Sequence, residues 1–307
     1  MRQLDFSSSA LTNLAGQTVI ITGAGRGIGA STAALFNSHG ANVVLVDLAP
    51  AGDVATSLIK TFQYPEKNIF VPANILVWKD LVSVFKTAIE RFDKVDAVVA
   101  NAAIMESTPV LEVKIDEAGD PTESLEANRV IDVNLKGTLN TLRLGLHYLG
   151  KNTPSPAGYR GSIIFITSTS GYFGSTGNAA YISSKHGVVG LMRSSLRRAA
   201  SLGINLSAVA PCYTPTHLTA GFGKKISDAG IDANTPEGVA SVAASLVCDR
   251  TAHGLACLVW GEYKRELERT RQDMLVDWLG DDLVDSMAKL GQLMDSMGGY
   301  PLPQNKD

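Results

Sequence analysis

Cysteine is scarce in this chain. The three present, Cys212, Cys248 and Cys257, are odd in number and lack the spacing of a metal-binding set, so neither a disulfide framework nor a zinc site is expected. Long apolar runs are missing too. No window reaches the roughly 18 uninterrupted apolar residues of a membrane-spanning helix. The opening stretch MRQLDFSSSALTNLAGQT has no continuous apolar core of a secretory signal, and the closing PLPQNKD carries no lipidation or retention signal. Charge of one sign is also absent: 27 Lys plus Arg stand against 30 Asp plus Glu, a formal net charge of −3. No basic stripe suggests nucleic acid or an anionic membrane as a partner. No repeat is visible, and a reduced, cytoplasmic setting is the simplest expectation.

What remains is an ordinary globular composition, 45% hydrophobic and 19% charged over 307 residues. That is enough for one large α/β domain with no need of disulfides. Short, β-branched, nearly continuous apolar runs fall at Thr18–Thr22, Asn42–Val46, Asn68–Val71, Ala97–Ala100, Ser162–Thr167, Asn205–Val209 and Leu255–Trp260. They read as strands buried on both faces. Helical patterns separate them at Ile28–Ser38, Lys79–Arg91, Thr122–Leu149, Ala179–Ser201 and Pro236–Cys248. The alternation predicts an α/β fold with a doubly wound parallel sheet, the Rossmann arrangement. Lys151–Gly161 and Cys212–Thr235 read as loops, the second a candidate flap. After Gly261 the chain turns charged and amphipathic. Residues 1–261 are therefore expected to form one domain, with 262–307 a helical extension packed on it or on a subunit interface.

The first strand runs directly into Gly23-Ala24-Gly25-Arg26-Gly27-Ile28-Gly29. Glycines between an apolar strand and a helix let the backbone approach a pyrophosphate, and the helix start offers unpaired N–H groups to it. Gly23, Arg26, Gly27, Ile28 and Gly29 are thus candidate dinucleotide contacts. The second strand ends in Asp47-Leu48, where a carboxylate can accept both ribose hydroxyls of NAD and repel a 2′-phosphate. Arg26 could attract that phosphate instead. NAD is the expected cofactor, with NADP the lesser alternative.

Tyr181 and Lys185 are four apart at the start of a helical run, hence on one face. A tyrosine phenol is too weak an acid for proton exchange at neutral pH, and a neighbouring ammonium, helped by a positively charged nicotinamide, favours its phenolate. Such a residue can take a proton from an alcohol or return one. Ser168, thirteen residues upstream at a strand end, lies on the same carboxyl edge of the sheet and can bond the same substrate oxygen.

Taken together, Thr22-Gly23-x-x-x-Gly27-x-Gly29, Asn101-Ala102-Ala103, Asn134, Ser168, Tyr181-x-x-x-Lys185 and Pro211 resemble the classical short-chain dehydrogenases/reductases, over about Leu14 to Gly261. The resemblance implies a catalytic tetrad of Asn134, Ser168, Tyr181 and Lys185, with Asn134 holding a water that relays protons through Lys185. It also implies that Lys185 binds the nicotinamide ribose, that Asn74 and Ile75 contact adenine, that Asn101 and Ala102 fix the central strand near the cofactor, and that Thr214 and Thr216 meet the nicotinamide amide and the phosphate. A homodimer or homotetramer is implied as well, built through the helices following Asn134 and Tyr181. The chain departs from the family pattern with Asn74 for Asp, Ala100 for the first Asn of Asn-Asn-Ala-Gly, Cys212 for the Gly after Pro, and Glu262 for the second Gly of the closing pair. Cys212 is expected to be passive.

The residues that follow these motifs, Ile104, Met105, Tyr172, Phe173, Tyr213, Leu218 and Phe222, are expected to line the substrate pocket. They are mostly apolar and include no arginine to clamp a carboxylate, which suggests a bulky hydrophobic alcohol or ketone. His186 and His217 have no metal-ligand company, so no metal is expected. The leading expectation is an oxidoreductase moving a hydride between NAD and a hydrophobic secondary alcohol, with Tyr181 as acid/base. An NADPH-dependent ketone reductase, a non-redox cofactor-binding sensor or scaffold, and a dehydratase or cyclase remain open.

Overall fold

The chain runs through β1 (Thr18–Thr22), α1 (Gly27–Ser38), β2 (Asn42–Asp47), α2 (Gly52–Lys60), β3 (Asn68–Pro72), α3 (Trp78–Phe92), β4 (Ala97–Ala100), α4 (Leu125–Ile131), α5 (Gly137–Leu149), β5 (Gly161–Ile166), α6 (Ala179–Ser201), β6 (Ile204–Pro211), α7 (Gly223–Asp228), α8 (Pro236–Cys248), β7 (Ala256–Trp260), β8 (Tyr263–Glu266), α9 (Glu268–Asp273), α10 (Leu275–Leu279) and α11 (Asp281–Ser296). This is a computed structural model that describes residues 8–174, 177–301 and 303. Among the described residues, no helix is long and apolar enough to cross a membrane.

Apolar residues on both sides of each central strand dictate the layering. In β1, Val19 and Ile21 enter one core and Ile20 the other; in β2, Val43 and Leu45 oppose Val44 and Val46. β4 and β5 alternate in the same way. A sheet of this kind must be covered twice. α1 and α8 cover one face, with the short 3-10 helix Ser8–Leu14 against α8, and α3, α5 and α6 cover the other. Strand order is β3–β2–β1–β4–β5–β6–β7–β8, parallel throughout except that β8 pairs antiparallel with β7. The order reverses between β1 and β4, and ligands of such sheets bind in the crevice beyond the strand ends there.

Two expectations need correction, and one helix was not expected at all. Thr122–Leu149 is not one helix. Ser124 caps α4 by accepting from the Ala127 N–H at 3.2 Å, and a π-helical turn, Asp132–Lys136, separates α4 from α5. The π turn carries Asn134, and such bulges recur at functional sites. The segment after Gly261 opens with a strand instead of a helix. Gly261, at φ +53°, begins a two-residue turn that brings Tyr263 opposite Trp260. β8 was illegible because Tyr-Lys-Arg-Glu has the polar face of an edge strand. α2 went unseen for a similar reason: of its nine residues only Ala55 is buried.

Beyond β8 the extension is fastened at its root. Buried Glu266 accepts from the N–H groups of Glu268 (2.9 Å), Arg269 (2.7 Å) and Thr270 (3.0 Å). Buried Glu268 takes two bonds from Arg193 of α6, at 2.9 and 2.8 Å. Farther out, Trp278, Leu283, Met287 and Leu290 stay exposed.

Candidate active site

Glycine shapes the first wall of the site because nothing larger fits. Gly23 and Gly27 have φ of +66° and +55°, a left-handed region costly for other residues. A Cβ on Gly29 would lie 2.2 Å from the Gly23 carbonyl oxygen and 2.6 Å from Asn101 Nδ2. The turn is pinned from β4: Asn101 Nδ2 donates to the carbonyls of Thr22 (2.9 Å) and Gly23 (3.0 Å), and Thr22 Oγ1 accepts from the N–H groups of Asn101 and Ala102. Asp47 is oriented as firmly. Its Oδ2 accepts from the Gly25 N–H at 2.9 Å and its Oδ1 from the Leu48 N–H at 2.8 Å. A backbone cradle with the positive end of α1 behind it and a fixed carboxylate beside it fits a dinucleotide.

These residues open onto a cavity of about 830 Å³. Gly23, Arg26, Gly27, Ile28, Asp47 and Leu48 line one part. Asn74, Ile75, Asn101 and Ala102 follow, then Pro211, Thr214 and Thr216. Gly29 lies behind the wall and acts through close packing. The Asn74 side chain is turned to its own backbone, its Oδ1 accepting from the Leu76 N–H at 3.0 Å. Buried Asn234 braces the far wall by donating to the carbonyls of Cys212 (3.3 Å) and Val259 (2.9 Å) and to Thr214 Oγ1 (3.2 Å).

Ser168, Tyr181 and Lys185 converge on the same cavity. Ser168 follows β5, and its Oγ accepts from the Ser170 N–H at 3.1 Å. Lys185 is buried, its Nζ donating to the Ile166 carbonyl at 2.9 Å and lying 5.6 Å from the Tyr181 ring centroid. Burial pulls its ammonium down to about 8. Burial pushes the Tyr181 phenol above its ordinary value; a hydrogen bond with Ser168 opposes this, and the charge of Glu106 adds to it. Desolvation thus dominates the environment of the phenol within the protein itself. Asn134 stands outside the cavity lining. Its Oδ1 accepts from the Ile104 N–H and its Nδ2 donates to the Ile104 carbonyl, both at 2.8 Å, and to Ser184 Oγ at 2.9 Å. Its polar atoms therefore hold both backbone polar groups of Ile104.

On the substrate side, Ile104, Met105, Tyr213 and Leu218 line the cavity. Tyr172 and Phe173 do not. The 3-10 turn Thr169–Gly171 swings the chain away, so that Tyr172 donates to Glu268 Oε1 at 2.9 Å and Phe173 is 59% exposed. Phe222 ends the short helix His217–Phe222; its side chain lies outside the described residues. Arg129 of α4 does line the cavity, correcting the expectation of no arginine there. Helical spacing shows that Arg129 lies one turn before Val133, but only the fold shows which way that face points. The Cys212 thiol is raised by burial, which makes it a poor nucleophile.

Residues 17–227 match the family model described as short chain dehydrogenase. The chain belongs to the short-chain dehydrogenase/reductase family. The 3-hydroxyacyl-CoA dehydrogenase type-2 of Homo sapiens is 33% identical over 220 residues, 71% of this chain and 81% of that protein. The short-chain dehydrogenase/reductase prx4 of Penicillium roqueforti is 31% identical over 299 residues, 91% and 85% of the two chains. A solved 3-ketoacyl-(acyl-carrier-protein) reductase from Brucella melitensis, complexed with NADH, superposes at TM-score 0.67 with 26% identity over 81% of this chain and 98% of that one. Membership places the chain among oxidoreductases that use NAD(P) on small molecules bearing a CH–OH group or its carbonyl.

Proposed function

We propose that the chain is an NAD-dependent dehydrogenase of hydrophobic secondary alcohols, working reversibly with Tyr181 as the acid/base. The observation that supports this most is the convergence of Ser168, Tyr181 and Lys185 on the cavity that also holds the glycine loop and Asp47. Ser168 and Tyr181 hold the substrate oxygen between two hydroxyls. Tyr181 takes the hydroxyl proton during oxidation and returns it during reduction. Lys185, fixed to the Ile166 carbonyl, places a cation beneath the tyrosine ring. NAD, held by the glycine loop and Asp47, would accept the hydride from the carbinol carbon and contribute a positively charged ring that favours the phenolate. Because the chain's own groups raise the phenol, oxidation should gain rate as pH rises while reduction loses it.

The apolar side chains of Ile104, Met105 and Leu218 support a hydrophobic substrate, and Arg129 admits one with an anionic end. The named activities of the human and Brucella relatives make a 3-hydroxyacyl or 3-oxoacyl thioester a specific candidate. Use of NADPH for ketone reduction is the second reading, favoured by Arg26 in the same lining. A reduced cytoplasmic setting and a homodimer or homotetramer complete the proposal. The test is a screen of alcohols and ketones, thioesters included, with NAD(H) and NADP(H), followed by nicotinamide absorbance. Tyr181→Phe should cut turnover by roughly 10²–10⁴-fold while dinucleotide affinity stays within a few-fold. Full activity in that variant, or tighter binding of NADP than NAD, would overturn the respective parts.

A further inference from the structure

A buried carboxylate that belongs to no motif sits against the catalytic helix. Glu106, six residues past β4, is 9% exposed. Its Oε1 accepts from the Ala180 N–H and its Oε2 from the Tyr181 N–H, both at 3.0 Å. These N–H groups belong to the first turn of α6, whose own N-cap residue, Asn178, makes no side-chain cap bond. First-turn N–H groups lack intrahelical partners and gather the positive end of the helix dipole. A capping side chain is normally a neighbour in sequence; here it comes from a segment 75 positions before Tyr181.

The same segment is gripped on either side of Glu106. Asn134 holds both the backbone N–H and the carbonyl of Ile104, and Glu126 of α4 accepts from Ser107 N–H (2.6 Å), Ser107 Oγ (2.7 Å) and Thr108 Oγ1 (2.5 Å). Asn134 also donates to Ser184 Oγ, which donates to the Tyr181 carbonyl at 2.7 Å. The Tyr181 backbone is thus held at its N–H through Glu106 and at its carbonyl through Ser184 and Asn134. Both routes meet at residues 104–106.

We propose that Glu106 is a positioning residue, a long-range cap that locks the first turn of α6 and so fixes where the Tyr181 phenol stands relative to Ser168 and the cavity. The proposal rests on Tyr181 being the acid/base. Its consequence for pH follows from the titratable groups around the phenol: Lys185 on its own helix, Glu106 from the segment after β4, Arg129 on α4, and His217 and Cys212 after β6. Glu106 is the anion among them, and its charge opposes phenolate formation.

The experiment uses the full chain with tyrosine labelled at the ring carbon bearing oxygen, so that Tyr181 can be titrated by NMR without any substrate; Tyr181→Phe assigns its signal. Amide exchange along α6 is read in parallel. Glu106→Ala should speed exchange at Ala180 and Tyr181 by roughly tenfold and leave Arg193–Ser201 at the far end unchanged. Glu106→Gln, which keeps one acceptor and removes the charge, should restore part of the protection and lower the Tyr181 titration midpoint. With an alcohol found active in the screen, Glu106→Ala should lower kcat by roughly tenfold or more with KM within about threefold, and Glu106→Gln should recover part of kcat. Unchanged exchange and titration in both variants overturn the proposal. A uniform rise in exchange along all of α6 overturns it as well, since Glu106 would then support the fold at large. If Glu106→Ala does not fold, Glu106→Gln carries the same readouts. Failure of the Tyr181→Phe turnover test would count against the acid/base assignment alone.

Discussion

The two halves of the cavity are walled differently. Over β1 and β2 the wall is mostly backbone: glycines that admit no Cβ, a strand-end aspartate bound by two N–H groups, and an asparagine from the neighbouring strand. Beyond Tyr181 the wall is made of side chains from separate segments, Ile104 and Met105 after β4, Arg129 on α4, and Tyr213 and Leu218 after β6, and Ile104 is held by Asn134 from 30 positions away. The first half depends on local geometry written in consecutive residues. The second depends on which remote elements the fold brings together. Substitutions in the first half should therefore act on cofactor binding all at once, and those in the second should act singly and in graded amounts.

The largest effect is expected at Gly29. An alanine there would press its Cβ on the Gly23 carbonyl oxygen at 2.2 Å and on Asn101 Nδ2 at 2.6 Å, so loop, helix and strand end must all shift. NAD affinity measured by calorimetry should fall by roughly 100-fold, about 3 kcal/mol. An affinity within threefold of the parent would show that the backbone wall is more pliant than its packing implies.

That contrast also governs what could be read from the sequence. Strand positions, the two-faced sheet and the order of Gly23, Asp47, Ser168, Tyr181 and Lys185 were legible because apolar periodicity and short-range spacing encode them. Asn134 was singled out by resemblance alone, and the π turn that carries it leaves no mark in hydrophobic pattern. Glu106 and Arg129 were missed because a carboxylate in a loop and an arginine on a helix are ordinary until the fold gives them neighbours. Tyr172 was misplaced for the opposite reason. An aromatic residue near Ser168 suits a pocket, and its partner Glu268 lies 96 residues downstream in a segment with no family pattern.

At Lys185 function and stability oppose each other, and the effect on stability is expected to be intermediate. An unfolded lysine keeps its proton to about 10.5, the buried one only to about 8. Between those values the unfolded chain binds a proton that the folded chain does not, so stability rises with pH across that window, and below 8 the folded chain bears the whole desolvation cost. Lys185→Met should abolish turnover yet stabilise the protein at pH 7 by about 1–3 kcal/mol, read by urea unfolding. The gain should shrink as the pH approaches 10. A destabilised variant at pH 7 would mean that the bond from Nζ to the Ile166 carbonyl outweighs the burial of the charge.

The smallest effect sharpens the comparison most, because it concerns a residue expected in the substrate pocket that the fold turns away from it. Tyr172 donates its hydroxyl hydrogen bond to Glu268 Oε1, which also accepts from Arg193 at 2.8 Å. Burial and then the Glu268 charge push the Tyr172 phenol well above its ordinary range, so it stays a neutral donor. Burial pushes the Glu268 carboxyl up, but the bonds from Arg193 and Tyr172 outweigh it and leave it below its usual value. In Tyr172→Phe the ring still packs beside α6 and the ion pair survives, so the loss should be about 1 kcal/mol of stability. KM for an active alcohol and affinity for NAD should both stay within about twofold. A severalfold rise in KM alone would place the Tyr172 ring against substrate and move the boundary of the pocket past the Thr169–Gly171 turn. A fall in kcat alone would mean that the root of the C-terminal extension, through Glu268, helps hold Ser168 in place.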